Sequence, residues 1–387
     1  MLATSFMHRF CASVLCADTN TSAVAPLCAA STLVVVGLAA TEDSATHSEF
    51  WSTLGVPPNE SVLLAQLNVL DYTLKEHHEN VELHTALALY CAGDVKDSYK
   101  TLCALNLGAQ IAPLADARVV NAFIERETKG LLVDVVKSDP EPPMTAVGVV
   151  LFVGKWSVAF DPDLTQDEKF FSTMGKVPYS VSCRMMHSTR TFGHRNIDGM
   201  HVVELPYGAP NHNDNNIYDD DDAVGVHPFV AYFFLPPVNA CFDSAVKTYL
   251  GSAETFARTT DGMLCRKLDL ALPELDINCS TDLNDFLAAT MPTAFSDTAS
   301  FERLSDTPGV FLKNVTHTVK IKVDAVGTQA AAATEVRFAT RGQRPAGPPS
   351  VVFNRPFFFT VVHKPTNTIL FASAVRHLKP DLFVAEE

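Results

Sequence analysis

The feature that most restricts the fold is a change of hydrophobic period near residue 145. Before it, apolar residues recur at helical spacing over residues 6–16, 44–54, 61–75 and 117–129. Gly130 follows the last of these and suits a left-handed cap. From Thr145 the run TAVGVVLFV is almost continuously apolar, as in a strand covered on both faces. Residues 179–186, 201–205 and 229–235 read as further strands, and 282–289 returns to helix. THTVKIKVDAV, FFFTVVH and TILFASAV make the end of the chain strand-rich, with HKPTNT turning between the last two. Helices first, then strands with few βαβ alternations, predict an α+β fold.

A chain of 387 residues with 47% hydrophobic residues can build a large core. Its net charge of -15 repels phosphate backbones and anionic lipid, so no nucleic-acid or membrane partner is expected. Residues 19–41 carry no charge and reach bilayer length, but Pro26 and several polar residues interrupt them. A short strand into Pro26 followed by a buried helix fits better. Residues 1–16 form no clear signal peptide, so a cytoplasmic or non-classically secreted protein is expected. Sequons at Asn20, Asn59, Asn278 and Asn314 matter only on a secretory route.

Nine scattered cysteines without a C-x-x-C read as free buried thiols, not as a disulfide scaffold or zinc site. HHENVELH lacks the histidine spacing of a zinc protease, since Glu82 stands four residues after His78 and the next histidine is His84. It reads as a solvated helix face. The acidic insertion at 211–222, NHNDNNIYDDDD, reads as a solvated charge run and not a metal site. No G-x-S-x-G, P-loop or G-x-G-x-x-G occurs, so no enzyme activity, cofactor or metal is expected.

The most informative segment is GTQAAAATEVRFATRG, residues 327–342. Read with period two, one face carries Thr328, Ala330, Ala332, Thr334, Val336 and Phe338, without charge. The other carries Gln329, Ala331, Ala333, Glu335, Arg337 and Ala339, with both charges. That is a strand with one buried and one wet face. Gly347 and Pro345, Pro348 and Pro349 then punctuate the chain as an exposed loop does. One segment can thus serve as loop or as strand; an ordinary surface loop or helix fits the pattern equally.

With these residues in view the chain resembles the serpins over nearly its whole length. Gly327, Thr328, Gln329, Ala330, Ala331, Ala332 and Ala333 are similar to the serpin hinge. Phe353-Asn354-Arg355-Pro356-Phe357 is similar to the signature after the reactive loop. Ile369-Leu370-Phe371 with Pro380, Gly154-Lys155-Trp156 with Phe160, Met185-Met186, Leu205-Pro206-Tyr207, and Asn121 to Gly130 match further motifs in order. The resemblance implies one serpin domain over 1–387, with three β-sheets, about eight or nine helices and an exposed reactive-centre loop within 325–352.

It also implies suicide inhibition. A serine protease cleaves the loop, is held as an acyl-enzyme, and is trapped as the loop inserts into the main sheet. The hinge glycine of inhibitory members lies fourteen positions before the cleaved residue, and that count from Gly327 reaches Arg341. The expected bait bond is Arg341–Gly342, with a trypsin-like serine protease as covalent partner. Arg344 is the second choice and Phe338 a third. A non-inhibitory carrier serpin, or an inhibitor of cysteine proteases, is the alternative. A monomer without heparin activation is expected, because Lys75, Lys96 and Lys100 are spread among acids. Trp156 and His317 match residues at the point where the sheet opens. Departures are Ala25 and Cys28 in place of serines, Gly148 in place of asparagine, and Ala325 and Val326 in place of acids. Lost hydrogen bonds there bear on metastability.

Overall fold

Apolar residues every third or fourth position along α1 (Thr4–Ala17) bury Phe6, Phe10, Val14 and Leu15 on one face. The computed structural model describes residues 4–76, 78, 80–174, 177–209, 227–328 and 347–378. A short strand β1 (Ser22–Val24) then runs into α2 (Pro26–Gly37), with Pro26 in its first turn. α2 is buried almost all round, which explains why residues 19–41 lack charge without crossing a membrane. Among the described residues no helix is long and apolar enough to do so. α3 (Ala45–Leu54) and α4 (Glu60–Lys75) follow, capped by Ser44 and Asn59, whose side chains accept the His47 and Val62 N–H groups.

The chain continues through β2 (Val81–Cys91), α5 (Asp97–Leu107), β3 (Gln110–Pro113), α6 (Ala117–Glu127) and β4 (Met144–Lys155). Next come β5 (Gln166–Met174), β6 (Val177–Ile197), β7 (Met200–Pro206) and β8 (Phe229–Leu235). α7 (Phe242–Leu250), α8 (Ala253–Thr260), β9 (Leu264–Pro273), β10 (Leu275–Asp282) and α9 (Asn284–Thr290) lead to β11 (Leu312–Val323). β12 (Gly327–Thr328), β13 (Ser350–Val352), β14 (Phe357–His363) and β15 (Thr368–Val375) finish the described chain.

The main sheet has the order β10-β11-β4-β2-β3, with β12 paired to the end of β4. Its distinctive join is β11 on β4, which is parallel, from Leu312↔Met144 to Lys320↔Leu151. β4 buries both faces. Met144, Ala146, Val150 and Phe152 face the principal core, while Val147, Val149 and Leu151 face Val120, Phe123 and Ile124 of α6. The remaining strands form a second continuous sheet in the order β1-β15-β14-β8-β7-β6-β9-β13, with β5 on β6. The 21-residue β6 joins its two groups: β5 and β9 pair along its first part, and β7 pairs off its last five residues. The architecture is the expected α+β arrangement, with nine α-helices among the described residues.

Two expectations need correction. HHENVELH is not a helix face: α4 stops at Lys75, and Glu82 and His84 stand on β2, with the His84 ring 2.9 Å from the Glu82 carboxylate. The cysteines are not all buried. Cys241 and Cys265 are exposed, Cys16 and Cys279 half-buried, and Cys11, Cys28, Cys91, Cys103 and Cys183 buried. Gly130 is left-handed as expected, at φ 78°, although α6 itself ends at Glu127. The acidic insertion 211–222 and Pro380 lie outside the described residues.

Candidate functional site

The end of β4 and the start of β12 meet where the β11–β4 ladder stops. Gly327 pairs antiparallel with Lys155, and Thr328 with Gly154. Gly327 adopts φ +144°, and a Cβ there would lie 2.4 Å from the Gly154 carbonyl oxygen and 2.4 Å from the Lys155 Cα. Both the backbone conformation and the close approach require glycine. A tight turn leads into it. The Asp324 carboxylate accepts the N–H groups of Val326 and Gly327 at 3.0 and 3.1 Å. The Asp324 N–H in turn donates to the Gly327 carbonyl at 2.8 Å.

Trp156 locks this turn to β4. Its indole N–H donates to the Asp324 carbonyl at 2.9 Å and its backbone N–H to the Val326 carbonyl at 3.0 Å. Its ring stacks on Tyr207 at 4.4 Å and 18°. The Phe160 N–H holds the Ala325 carbonyl at 2.7 Å. Ala325 is buried, so an acidic side chain there would lose water; the replacement of an acid by alanine fits its packing.

A second cluster lies beneath the middle of the parallel join. His317 on β11 is paired with Gly148 on β4. The His317 ring is fully buried, with the Phe10 ring edge-on at 6.2 Å. Its Nε2 accepts the Ala25 N–H at 3.0 Å, so the neutral ring carries its proton on Nδ1. That Nδ1 has no partner among the described residues. Burial lowers the His317 pKa to about 4. A Cβ on Gly148 would stand 2.3 Å from Thr32 Oγ1 and 3.2 Å from Cys28 Sγ. Thr32 and Cys28 thus fill the space under Gly148. Thr32 donates to the Cys28 carbonyl at 2.9 Å, and burial pushes the Cys28 thiol up to about 12.

The structure therefore brings Trp156, Gly327 and Thr328 together and sets His317 below them on the same join. Gln329, Ala330, Ala331, Ala332, Ala333, Phe338, Arg341, Gly342 and Arg344 lie outside the described residues. Asp324 and Thr32 are essential to the geometry yet carry no readable signal. An aspartate before small residues is common in turns, and Thr32 matters only because Gly148 is opposite. No cluster of three or more metal-ligating side chains occurs among the described residues.

The sequence matches the family model described as Serpin (serine protease inhibitor) over residues 2–378. The chain is a serpin. It is 28% identical to serine proteinase inhibitor A3K of Cavia porcellus, over 95% of this chain and 86% of that one. Plasminogen activator inhibitor 1 of Mus musculus is 25% identical, over 88% and 83%. Among solved structures, the thermophilic serpin tengpin in its native state superposes with a TM-score of 0.81 at 20% identity, covering 97% of this chain and 94% of that one. Human thyroxine-binding globulin complexed with thyroxine superposes at 0.80 and 21% identity, covering 97% and 98%. The two sequence relatives are named as inhibitors, and serpins generally bind serine proteases, while thyroxine-binding globulin is a non-inhibitory member of the fold.

Proposed function

We propose that this serpin traps a trypsin-like serine protease by cleavage at Arg341–Gly342 and insertion of the loop between β11 and β4. The carrying observation is register. Antiparallel pairing already begins at Gly327↔Lys155 and Thr328↔Gly154. Continued along β4, it would bring Ala330 opposite Phe152, Ala332 opposite Val150, Thr334 opposite Gly148 and Val336 opposite Ala146. Residues directly opposed share a face. The uncharged face would therefore meet the principal core, to which Phe152, Val150 and Ala146 belong. Glu335 and Arg337 would fall on the α6 side. A slip of one residue would drive both charges into the core.

The energetics favour the same direction. Insertion replaces one parallel ladder by two antiparallel ones and adds a full row of hydrogen bonds. The inserted face begins with alanines, which cost little side-chain entropy. Before cleavage the loop is tethered at both ends, at β12 and β13, and cannot run the length of β4. Cutting after Arg341 frees the hinge end. Arg341 suits a specificity pocket with an aspartate at its base.

Trypsin mixed with the full chain is expected to give a covalent complex on a denaturing gel and a released C-terminal fragment whose mass starts at Gly342. Arg341→Ala abolishes the complex and Arg344→Ala leaves it. Clean cleavage without complex would favour the carrier reading instead. Loss of complex in Arg344→Ala alone would move the bait bond to Arg344.

A further inference from the structure

Gly327 is already placed as the first rung of a strand between β11 and β4. On one side it pairs with Lys155. On the other, its N–H donates to the Asp324 carbonyl at 3.2 Å and its carbonyl accepts the Asp324 N–H at 2.8 Å. That reciprocal exchange is the closing pair of an antiparallel hairpin whose two-residue loop is Ala325-Val326. Asp324 and Lys155 are themselves level. The parallel ladder reaches Lys320↔Leu151, and four residues further along each strand lie Asp324 and Lys155. Seven residues back from the same two positions lie His317 and Gly148, which are partners in the present ladder. The hairpin turn, the β12–β4 pair and the β11–β4 ladder are separate sets of contacts, and they agree on one register.

The consequence is geometric. A strand that grows from Gly327 along the join meets, at each step, a β4 residue and a β11 residue that face each other already. β11 would leave β4 sideways, without sliding along it. A one-residue change in the turn would break that match and exchange the two faces of the entering strand.

The residues of the loop do not select this turn. Two-residue hairpin loops favour glycine, asparagine or aspartate at central positions with positive φ. Ala325 and Val326 are none of these, and neither has a positive φ. The side chain of Asp324 holds the turn instead. One oxygen, Oδ1, accepts both the Val326 and the Gly327 N–H, at 3.0 and 3.1 Å. The other, Oδ2, lies 3.6 Å from Lys322 Nζ. The Trp156 indole N–H fixes the backbone of the same residue, at 2.9 Å from the Asp324 carbonyl.

We propose that Asp324 is the positioning residue that sets the register of loop entry, its Oδ1 holding the turn so that the join opens sideways without slippage. This rests on the inhibitory reading above and adds to it the residue that decides whether a cut loop enters in time to trap the protease.

The test compares full-length wild type, Asp324→Ala and Asp324→Asn. Asparagine keeps an oxygen for the two N–H groups and loses the charge that faces Lys322. With trypsin, Asp324→Ala is expected to consume several-fold more inhibitor per protease trapped, while Asp324→Asn stays near wild type. Equal stoichiometry in wild type and Asp324→Ala would overturn the proposal and leave inhibition standing. Equal impairment of both variants would overturn it too, since the contact with Lys322 and not the turn would then matter. If wild type gives no covalent complex, the inhibitory reading falls, and the three chains nicked in the loop are compared by melting midpoint instead. A gain in wild type that shrinks in Asp324→Ala and is kept in Asp324→Asn supports the proposal; equal gains, or none, overturn it.

Discussion

His317 shows how one buried side chain links sequence to stability. Its ring is held neutral by burial, with a pKa of about 4 against 6.5 in the unfolded chain. Between these values the unfolded state binds a proton that the folded state refuses. The stability due to this group is therefore full above pH 6.5 and is lost as pH falls toward 4. The loss amounts to about 3 kcal/mol. Burial also lowers His194 and His363, each to about 4, which adds in the same direction. Denaturant unfolding across pH 4–7 is expected to show this slope, and a His317→Phe variant to show a shallower one. An unchanged slope would remove His317 as a contributor. Gly148 makes a second point. Gly148→Ala forces its Cβ against Thr32 Oγ1 and is expected to cost about 1–3 kcal/mol. Thr32→Ala in the same chain relieves that contact, so the double variant is more stable than the sum of single effects predicts. Additive losses in a thermal-melt cycle would contradict the geometry.

At the scale of elements, the hinge strand carries the decisive substitution. In the proposed register Thr328 would share the face that meets the core on insertion, so Thr328→Arg would bury a charge without a partner. Native stability is expected to change little. Protease mixed with the variant should be released active with the loop cut, raising the inhibitor consumed per protease several-fold. Unchanged stoichiometry would speak against insertion in this register. The elements also show what the sequence could and could not reveal. β8, β14 and β15 stand out because FVAYFFL, FFFTVVH and TILFASAV are short, aromatic or β-branched runs bounded by proline or turn residues. β2 escapes because VELHTALALYC mixes alanine and leucine, good helix formers, in an apolar run that is buried on both faces. α5, α7 and α8, of 8 to 11 residues each, were not read from the sequence. Of the hinge segment read with period two, the structure describes Gly327 and Thr328, which pair with β4 as a strand. The Trp156–Asp324 bond and the Gly148–Thr32 contact were not legible, since each joins residues that only the folded topology brings together.

For the whole molecule, the proposed inhibition turns on the parallel join in the main sheet. The parallel join of β11 and β4 is a place in the main sheet where a further strand can enter antiparallel to both neighbours, and β12 already stands at its end. The proposed inhibition requires that the cleaved chain fall to a state with that strand in place. The direct measurement is the thermal unfolding midpoint of the full chain before and after limited cleavage at Arg341–Gly342, with both fragments retained. A large rise in the midpoint on cleavage is predicted; an unchanged or lower midpoint would contradict the account.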